Sequence, residues 1–301
     1  MSTSRSTTSS RPVCPPEPAI RGRIGPDADH GFYPVAHRYH LYLSLSCPGC
    51  LRIAVTHALL GLDDRISRTL LPPVPDGPGA GYAALRAPYE ATAHGYRGAA
   101  RAPVLADRWT GRVVSNHTPD ILRDLCLRFG GAGGPDLYPA TAEREIRELD
   151  LLCERDIGAA AQRAGQAGGD DASRAAALDI LLGALGALEE RLATGPHLVG
   201  DALTAADVHL WVTLVQLDTV HRWHLDAEAV HRIAAHPRLW AFARRLLANP
   251  AFARQLRLEE IERRHHHDCR GLEAAGAAVQ IIDWTATDDL LASPARQRHP
   301  R

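Results

Sequence analysis

Tyr39-His40-Leu41-Tyr42-Leu43-Ser44-Leu45-Ser46-Cys47-Pro48-Gly49-Cys50 sets the architecture of this 301-residue chain. Its first eight residues carry the aromatic and leucine character of a strand, and the run then stops at a cysteine followed by proline. Beyond it Leu51, Ile53, Ala54, Val55, Ala58, Leu59 and Leu60 recur at helical spacing and end at Gly61. The pattern is strand, tight turn, helix, with Cys47 at the joint. Proline suits the first helical position, where its missing N–H would have had no partner. The unpaired N–H groups and positive end of that helix stabilise an anion. Such an environment lowers a thiol pKa from about 8.5 into the range of about 3.5–7.5. Cys47 is therefore the candidate nucleophile. Cys50 lies one helical turn further on and completes a Cys-x-x-Cys spacing. It either resolves a mixed disulfide within the chain or packs as a small apolar residue.

The bulk composition excludes several classes. A net charge of -1 gives no global basic field for nucleic acid or a membrane surface. No apolar stretch approaches the ~20 residues that span a bilayer. The Ser/Thr/Pro-rich start, Met1 to Pro18, lacks the apolar segment of a secretory signal. Six cysteines at irregular spacing do not form a disulfide scaffold, so a reducing, cytoplasmic setting is expected. All 34 basic residues are arginine, which fits GC-rich codon usage in a bacterial host whose main small thiol need not be glutathione.

Organisation follows from periodicity. Residues 1–30 are expected to form a flexible N-terminal segment. Within an α/β domain over 31–130, Arg65 to Leu71 is a second strand and Pro72 to Gly81 a loop. Arg101 to Asp107 and Arg112 to Ser115 pair as a hairpin around Trp109-Thr110-Gly111. A helix follows from Pro119 to Phe129, capped by Thr118 or Asn116. After the Gly130–Pro135 linker the period is helical throughout, giving an all-α domain over 136–267 and a C-terminal extension over 268–301. Its helices run from Ala142 to about Ala161, Ala172 to Leu192, from the Leu198–Asp207 motif through Leu217, Pro237 to Leu247 and Pro250 to about Arg264. Thr204 and Asp207 have the spacing of a capping box.

These residues resemble the glutathione transferase superfamily, above all its xi-class branch, the glutathionyl-hydroquinone reductases. The similarity is carried by Arg38 to Leu45 leading into Cys47-Pro48, by Tyr96-Arg97-Gly98 through Ala102-Pro103-Val104-Leu105, and by Asp136-Leu137-Tyr138-Pro139. In the helical half Leu188 to Leu192, Leu198-Val199-Gly200-Asp201, Leu203 to Asp207, Thr213 to Asp218 and Ile233-Ala234 through Leu239-Trp240 follow the same pattern. The resemblance implies a thioredoxin-like N-terminal domain, a helical C-terminal domain and a homodimer. It implies that Cys47 attacks a glutathionylated hydroquinone, releases the hydroquinone and leaves a cysteine–glutathione mixed disulfide for a second thiol to resolve.

Several positions depart from the family, and they lie at the chemistry. Gly49, Cys50 and Leu51 replace a tryptophan, a small residue and a histidine, while Arg52 is retained and is a candidate for thiol binding and thiolate formation. Loss of the tryptophan predicts an enlarged or reshaped pocket. Ala102-Pro103 stands where the superfamily has a cis-proline whose preceding backbone pairs with the tripeptide. His117-Thr118 replaces the Glu-Ser that binds the γ-glutamyl group. Thr118 can still donate to a carboxylate or simply cap the helix, and His117 binds an anion when protonated or sits solvated. Gln162, His265 and His266 fall at tyrosine positions of the substrate pocket. No metal is expected, because consecutive histidines diverge by about 100° each on a helix and His265-His266-His267 cannot converge. Cys14, Cys126, Cys153 and Cys269 receive no role.

The expectation is a cysteine-dependent thiol transferase or reductase. It would act on a quinol or similar electrophile with glutathione or another low-molecular-weight thiol such as mycothiol. A Cys-x-x-Cys dithiol oxidoreductase and a non-catalytic accessory protein on the same fold remain as alternatives.

Overall fold

The structure, a computed structural model, describes residues 19–130, 134–166, 170–269 and 279–285. Strand β1 (Tyr39–Leu43) alternates as the sequence requires, with Tyr39, Leu41 and Leu43 buried against one face. Helix α1 (Pro48–Leu59) connects it to the parallel strand β2 (Ser67–Leu70). On its other side β1 pairs antiparallel with β3 (Val104–Asp107), which forms a hairpin with β4 (Arg112–Ser115). The sheet order is β2-β1-β3-β4. Helix α2 (Arg86–Thr92), missed by the hydrophobic pattern, places Tyr89 against Val104 and Val113 on one face of the sheet. On the opposite face α1 and α3 (Thr118–Asp124) bury Ile53, Ala54 and Ile121 with Leu41 and Leu43. Sheet and flanking helices form a thioredoxin-like layer.

The helical half begins with α4 (Glu143–Leu151), expected to run unbroken to about Ala161. It passes instead through a π-helical stretch, Leu152–Gly158, into α5 (Ala159–Ala164). Helix α6 (Asp171–Arg191) starts where the Asp170 side chain accepts from the Ser173 N–H. Helix α7 (Ala205–Thr219) carries the expected capping box, with Asp207 accepting from the Thr204 N–H at 2.8 Å. Then follow α8 (Ala227–Ala234), α9 (Pro237–Leu247), α10 (Pro250–Ala253) and α11 (Leu258–Cys269). The single helix expected from Pro250 to Arg264 is two, because the chain turns at 254–257, where Arg257 donates to the Arg254 and Leu256 carbonyls.

Helix α1 belongs to both cores. Cys50, Ile53 and Ala54 join the sheet core, while Leu51 and Val55 join the helical core beside α7. A helix apolar on two sides is one that is enclosed.

The described parts of both terminal segments pack against the fold, which for the N-terminal one differs from expectation. Residues 19–30, assigned to a flexible lead-in, lie on the α/β layer: Ile24 is buried, Arg21 pairs with Asp120 and Arg23 with Asp124. Asn116 accepts from the Ile20 N–H at 2.8 Å and so does not cap α3, whose cap position is held by His117. Residues 279–285 pack Ile282 and Trp284 into the helical core. Fully buried Asp218 accepts from the N–H groups of Ile281 and Ile282 and from Trp284 Nε1, at 2.9, 3.2 and 2.9 Å. No helix among the described residues is long and apolar enough to cross a membrane. Replacing Asp218 strips these donors and the nearby Arg222 of their shared acceptor. Asp218→Ala should lower the unfolding free energy in urea by about 3–5 kcal/mol, the range for breaking a buried charged contact.

Candidate active site

The chain leaves β1 through Ser44, Leu45 and Ser46. The Ser44 hydroxyl lies 2.9 Å from the Pro72 carbonyl and the Ser46 hydroxyl 2.7 Å from the Pro73 carbonyl, with the two hydroxyl oxygens 2.9 Å apart, fixing the loop after β2 beside the turn. Cys47 follows in extended conformation, its N–H bonded to the Ser44 carbonyl and its own carbonyl accepting the first helical bond from Leu51. Its residue is half-buried, whereas Cys50 is fully enclosed. The two thiols are reduced.

The Cys47 thiol is pulled down to about 6. Donation from the Cys50 thiol is the main cause, opposed by burial and aided by the Cys50 N–H, the Arg264 charge and the Gly49 N–H. Cys50 moves the other way: burial and its bond to Cys47 push its pKa well up, so it keeps its proton and donates it. The pair thus holds one proton on the inner sulfur and charge on the outer one.

Arg264, on α11, was not foreseen. It reaches over from the helical half, and its Nη1 donates to Tyr82 Oη at 3.2 Å. Tyr82 lies just beyond the Pro/Gly-rich loop, where the sequence shows only a turn. Together with Ala102, Arg101 and His267 these two line a 450 Å³ groove between the domains. The Ala102–Pro103 bond is cis. A second cavity of 160 Å³, lined by Pro48, Ile157, Val212, Thr213 and Gln216 among others, opens on the other side of the turn.

Arg52 has a different task from the one expected. It points away from the groove and pairs with Asp150 at 3.0 Å and Glu154 at 3.4 Å, across the domain interface. Asp150 also receives His209 Nδ1 at 2.6 Å. Burial, followed by the Arg52 charge, holds the His209 pKa at about 4, so a neutral imidazole donates there at pH 7. Arg52 therefore clamps α1 to the helical half, and Arg264 is the arginine that acts on the thiolate.

The remaining expected positions divide. Gly49 does not enlarge a pocket: a Cβ there would lie 2.6 Å from Thr118 Oγ1, so Thr118 already occupies that space. His117 Nδ1 lies 3.1 Å from Asp120, and Asp120 is itself held by Arg21. Gln162 is exposed on α5 and lines neither cavity. His266 is exposed, its Nδ1 near the Glu262 carbonyl at 3.3 Å, while His265 is buried and faces away from it toward His224 and Cys269. Burial pushes the Cys126 and Cys153 thiols up to about 12, consistent with no chemical role. Cys14 lies outside the described residues.

A thioredoxin-like layer with an activated thiol at its first helix, closed by an all-α half, defines the glutathione transferase class. Residues 171–245 match the family described as the glutathione S-transferase C-terminal domain. The chain is 31% identical over 256 residues to the glutathionyl-hydroquinone reductase PcpF of Sphingobium chlorophenolicum, covering 79% of this chain and 80% of that protein. The Xi glutathione transferase of Phanerochaete chrysosporium superposes with a TM-score of 0.71 at 29% identity, over 82% of this chain and 85% of that one. The glutathione-bound structure of YqjG from Escherichia coli K-12 gives 0.74 at 27% identity, over 87% and 92%. The chain belongs to the glutathionyl-hydroquinone reductase family, the Xi class of glutathione transferases.

Because the Cys50 thiol is the main support of the Cys47 thiolate, the rate of Cys47 alkylation should rise with pH through an inflection near 6. Cys50→Ala should move that inflection upward by about one unit or more, and Arg264→Gln upward by less. Stopped-flow measurement with a small alkylating reagent, read by mass spectrometry at Cys47, checks both.

Proposed function

We propose that the protein is a thiol-dependent reductase that removes a small thiol from a thioether-substituted hydroquinone, with Cys47 as nucleophile. The observation that supports it best is the thiol of half-buried Cys47, favoured as a thiolate by the Cys50 thiol and by the charge of Arg264, which lines an interdomain groove. The thiolate attacks the sulfur of the conjugate. The S–C bond breaks, its electron pair stays on the ring carbon, and that carbon takes a proton to give the free hydroquinone. Cys47 is left as a mixed disulfide. A second thiolate attacks the sulfur of the bound small thiol, releasing the Cys47 thiolate and a small-molecule disulfide.

Glutathione is the first candidate thiol, because the YqjG relative is described with glutathione bound. In this reading the Ala102 backbone pairs with the tripeptide and the Thr118 hydroxyl, at the start of α3, meets its carboxylate. The position of His117 argues for a thiol other than glutathione, such as mycothiol. The acidic group nearest it, Asp120, is already committed to Arg21 and Arg23 and cannot serve an ammonium ion. The homodimer implied by the family resemblance is part of the same proposal.

A dithiol cycle, in which Cys50 attacks the mixed disulfide, is favoured by the contact between the two sulfurs. Against it stand the complete burial of Cys50 and its retained proton. Cys47→Ala should abolish release of hydroquinone from glutathionyl or mycothiol conjugates, and activity retained in that variant would overturn the proposal. Intact mass after one turnover without a second thiol should show one adduct on wild-type protein. Loss of two alkylatable thiols with no adduct would instead identify the dithiol route.

A further inference from the structure

Helix α11 carries a second cluster that the Cys47 chemistry does not use. His265 and Cys269 are four residues apart, so they share a face of the helix. They meet His224, which closes the single 3₁₀ turn His221–His224 after α7. Cys269 Sγ lies 3.2 Å from His265 Nδ1 and 3.4 Å from His224 Nε2, and the three donor atoms all fall within 4.8 Å of one another. Zinc takes imidazole nitrogen at about 2.0–2.1 Å and thiolate sulfur at about 2.3 Å in a tetrahedral array. Donors in such an array stand roughly 3.3–3.7 Å apart; the two distances to Cys269 Sγ already approach that range, and the two imidazole nitrogens, within 4.8 Å of each other, reach it by movements of about one ångström or less each.

We propose that His224, His265 and Cys269 form a zinc site with two imidazole nitrogens and one thiolate. The sequence offered the wrong residues for it. Three consecutive histidines suggest a metal and then exclude one by geometry, whereas the ligands are one histidine of that run, the cysteine one turn on, and a histidine from elsewhere in the fold. His266 and His267 point to solvent and take no part. A thiolate with two imidazoles selects zinc over magnesium or calcium, which require oxygen donors. Binding forms the Zn–S bond as the Cys269 thiol gives up its proton to solvent, with no change in oxidation state. Three protein ligands leave one tetrahedral position for water or an incoming thiolate. His265 is buried while His224 and Cys269 are half-buried, so one side of the cluster opens outward. Arg264, the neighbour of His265, faces Cys47 and Tyr82, so the ion would fix the same helix that delivers the activating charge.

The Cys47–Cys50 pair could itself hold zinc, so the test uses full-length Cys47→Ser/Cys50→Ser protein. Titration with zinc against a chromophoric chelator should give one equivalent bound. Cobalt(II) should give a thiolate-to-metal charge-transfer band and the intense visible absorption of a tetrahedral ion. Cys269→Ser in that background should remove the charge-transfer band, and His224→Asn, at a half-exposed turn position, should abolish the stoichiometric binding while leaving far-UV circular dichroism unchanged. No binding in the parent double variant, or binding unaffected by Cys269→Ser or His224→Asn, overturns the assignment. None of these measurements reads hydroquinone release, so their outcome is independent of the catalytic proposal.

Discussion

Enclosure of α1 between two cores is the constraint on which the remaining structure rests. Its sheet-facing residues, Cys50, Ile53 and Ala54, and its bundle-facing residues, Leu51 and Val55, leave it no freedom to tilt without opening a cavity on one side. Cys47 stands at the N-terminal end of that helix, where Pro48 meets solvent. Its position is therefore set by packing far from the sulfur, and the amides of Gly49 and Cys50 are aimed at it before any substrate arrives. Preorganised donors of this kind cost no rearrangement when charge develops on the sulfur.

Electrostatics then separates two thiols of the same chemical kind. Burial disfavours a charge on either and the Arg264 charge favours it on both, but Cys47 also has the Gly49 and Cys50 amides and a proton donor one turn below it. Cys50, inside the core, loses the competition and becomes the donor. The two arginines near this helix are sorted by the same physics. Arg52 emerges on the bundle-facing side, where Asp150 and Glu154 neutralise it. Arg264 arrives with its charge shared among Tyr82, Asp268 and the thiolate.

Much of this could be read from the sequence because it depends on local rules. The strand–cysteine–proline–helix joint, the hairpin at Trp109 and the Thr204–Asp207 cap are each fixed by residues within one or two turns of chain. What stayed hidden depends on contacts between distant segments. Tyr82 and Arg264 are 182 residues apart, and nothing in either neighbourhood announces the other. Arg52 was a candidate for the thiolate because it is retained from the family pattern, yet a helix turns position 52 toward α4, where it pairs with Asp150. The Gly49 substitution looked like a deletion of bulk, but the vacated space is filled by Thr118 from a different helix. Family analogy placed Gln162, His265 and His266 at substrate-pocket positions; the fold leaves Gln162 and His266 exposed and turns His265 toward His224 and Cys269.

The site is consequently a property of the interface between the two halves rather than of either one. The sheet half supplies the sulfur, the amides and the proton on Cys50; the helical half supplies the Arg264 charge that favours the thiolate. Those contributions stay in register only while α1 and α11 hold a fixed relation. The Arg52–Asp150–His209 network joins α1 to α4 and α7, and α7 in turn packs against α11. His209 is neutral at pH 7 and donates to a carboxylate already facing a guanidinium, so the network has one positive charge for each negative one it buries most deeply. A charge-balanced contact at that depth contributes little net stability compared with an apolar one, but it tolerates few alternative geometries. Orientation of the helical half, and with it delivery of Arg264 to the thiolate, is what such a contact specifies.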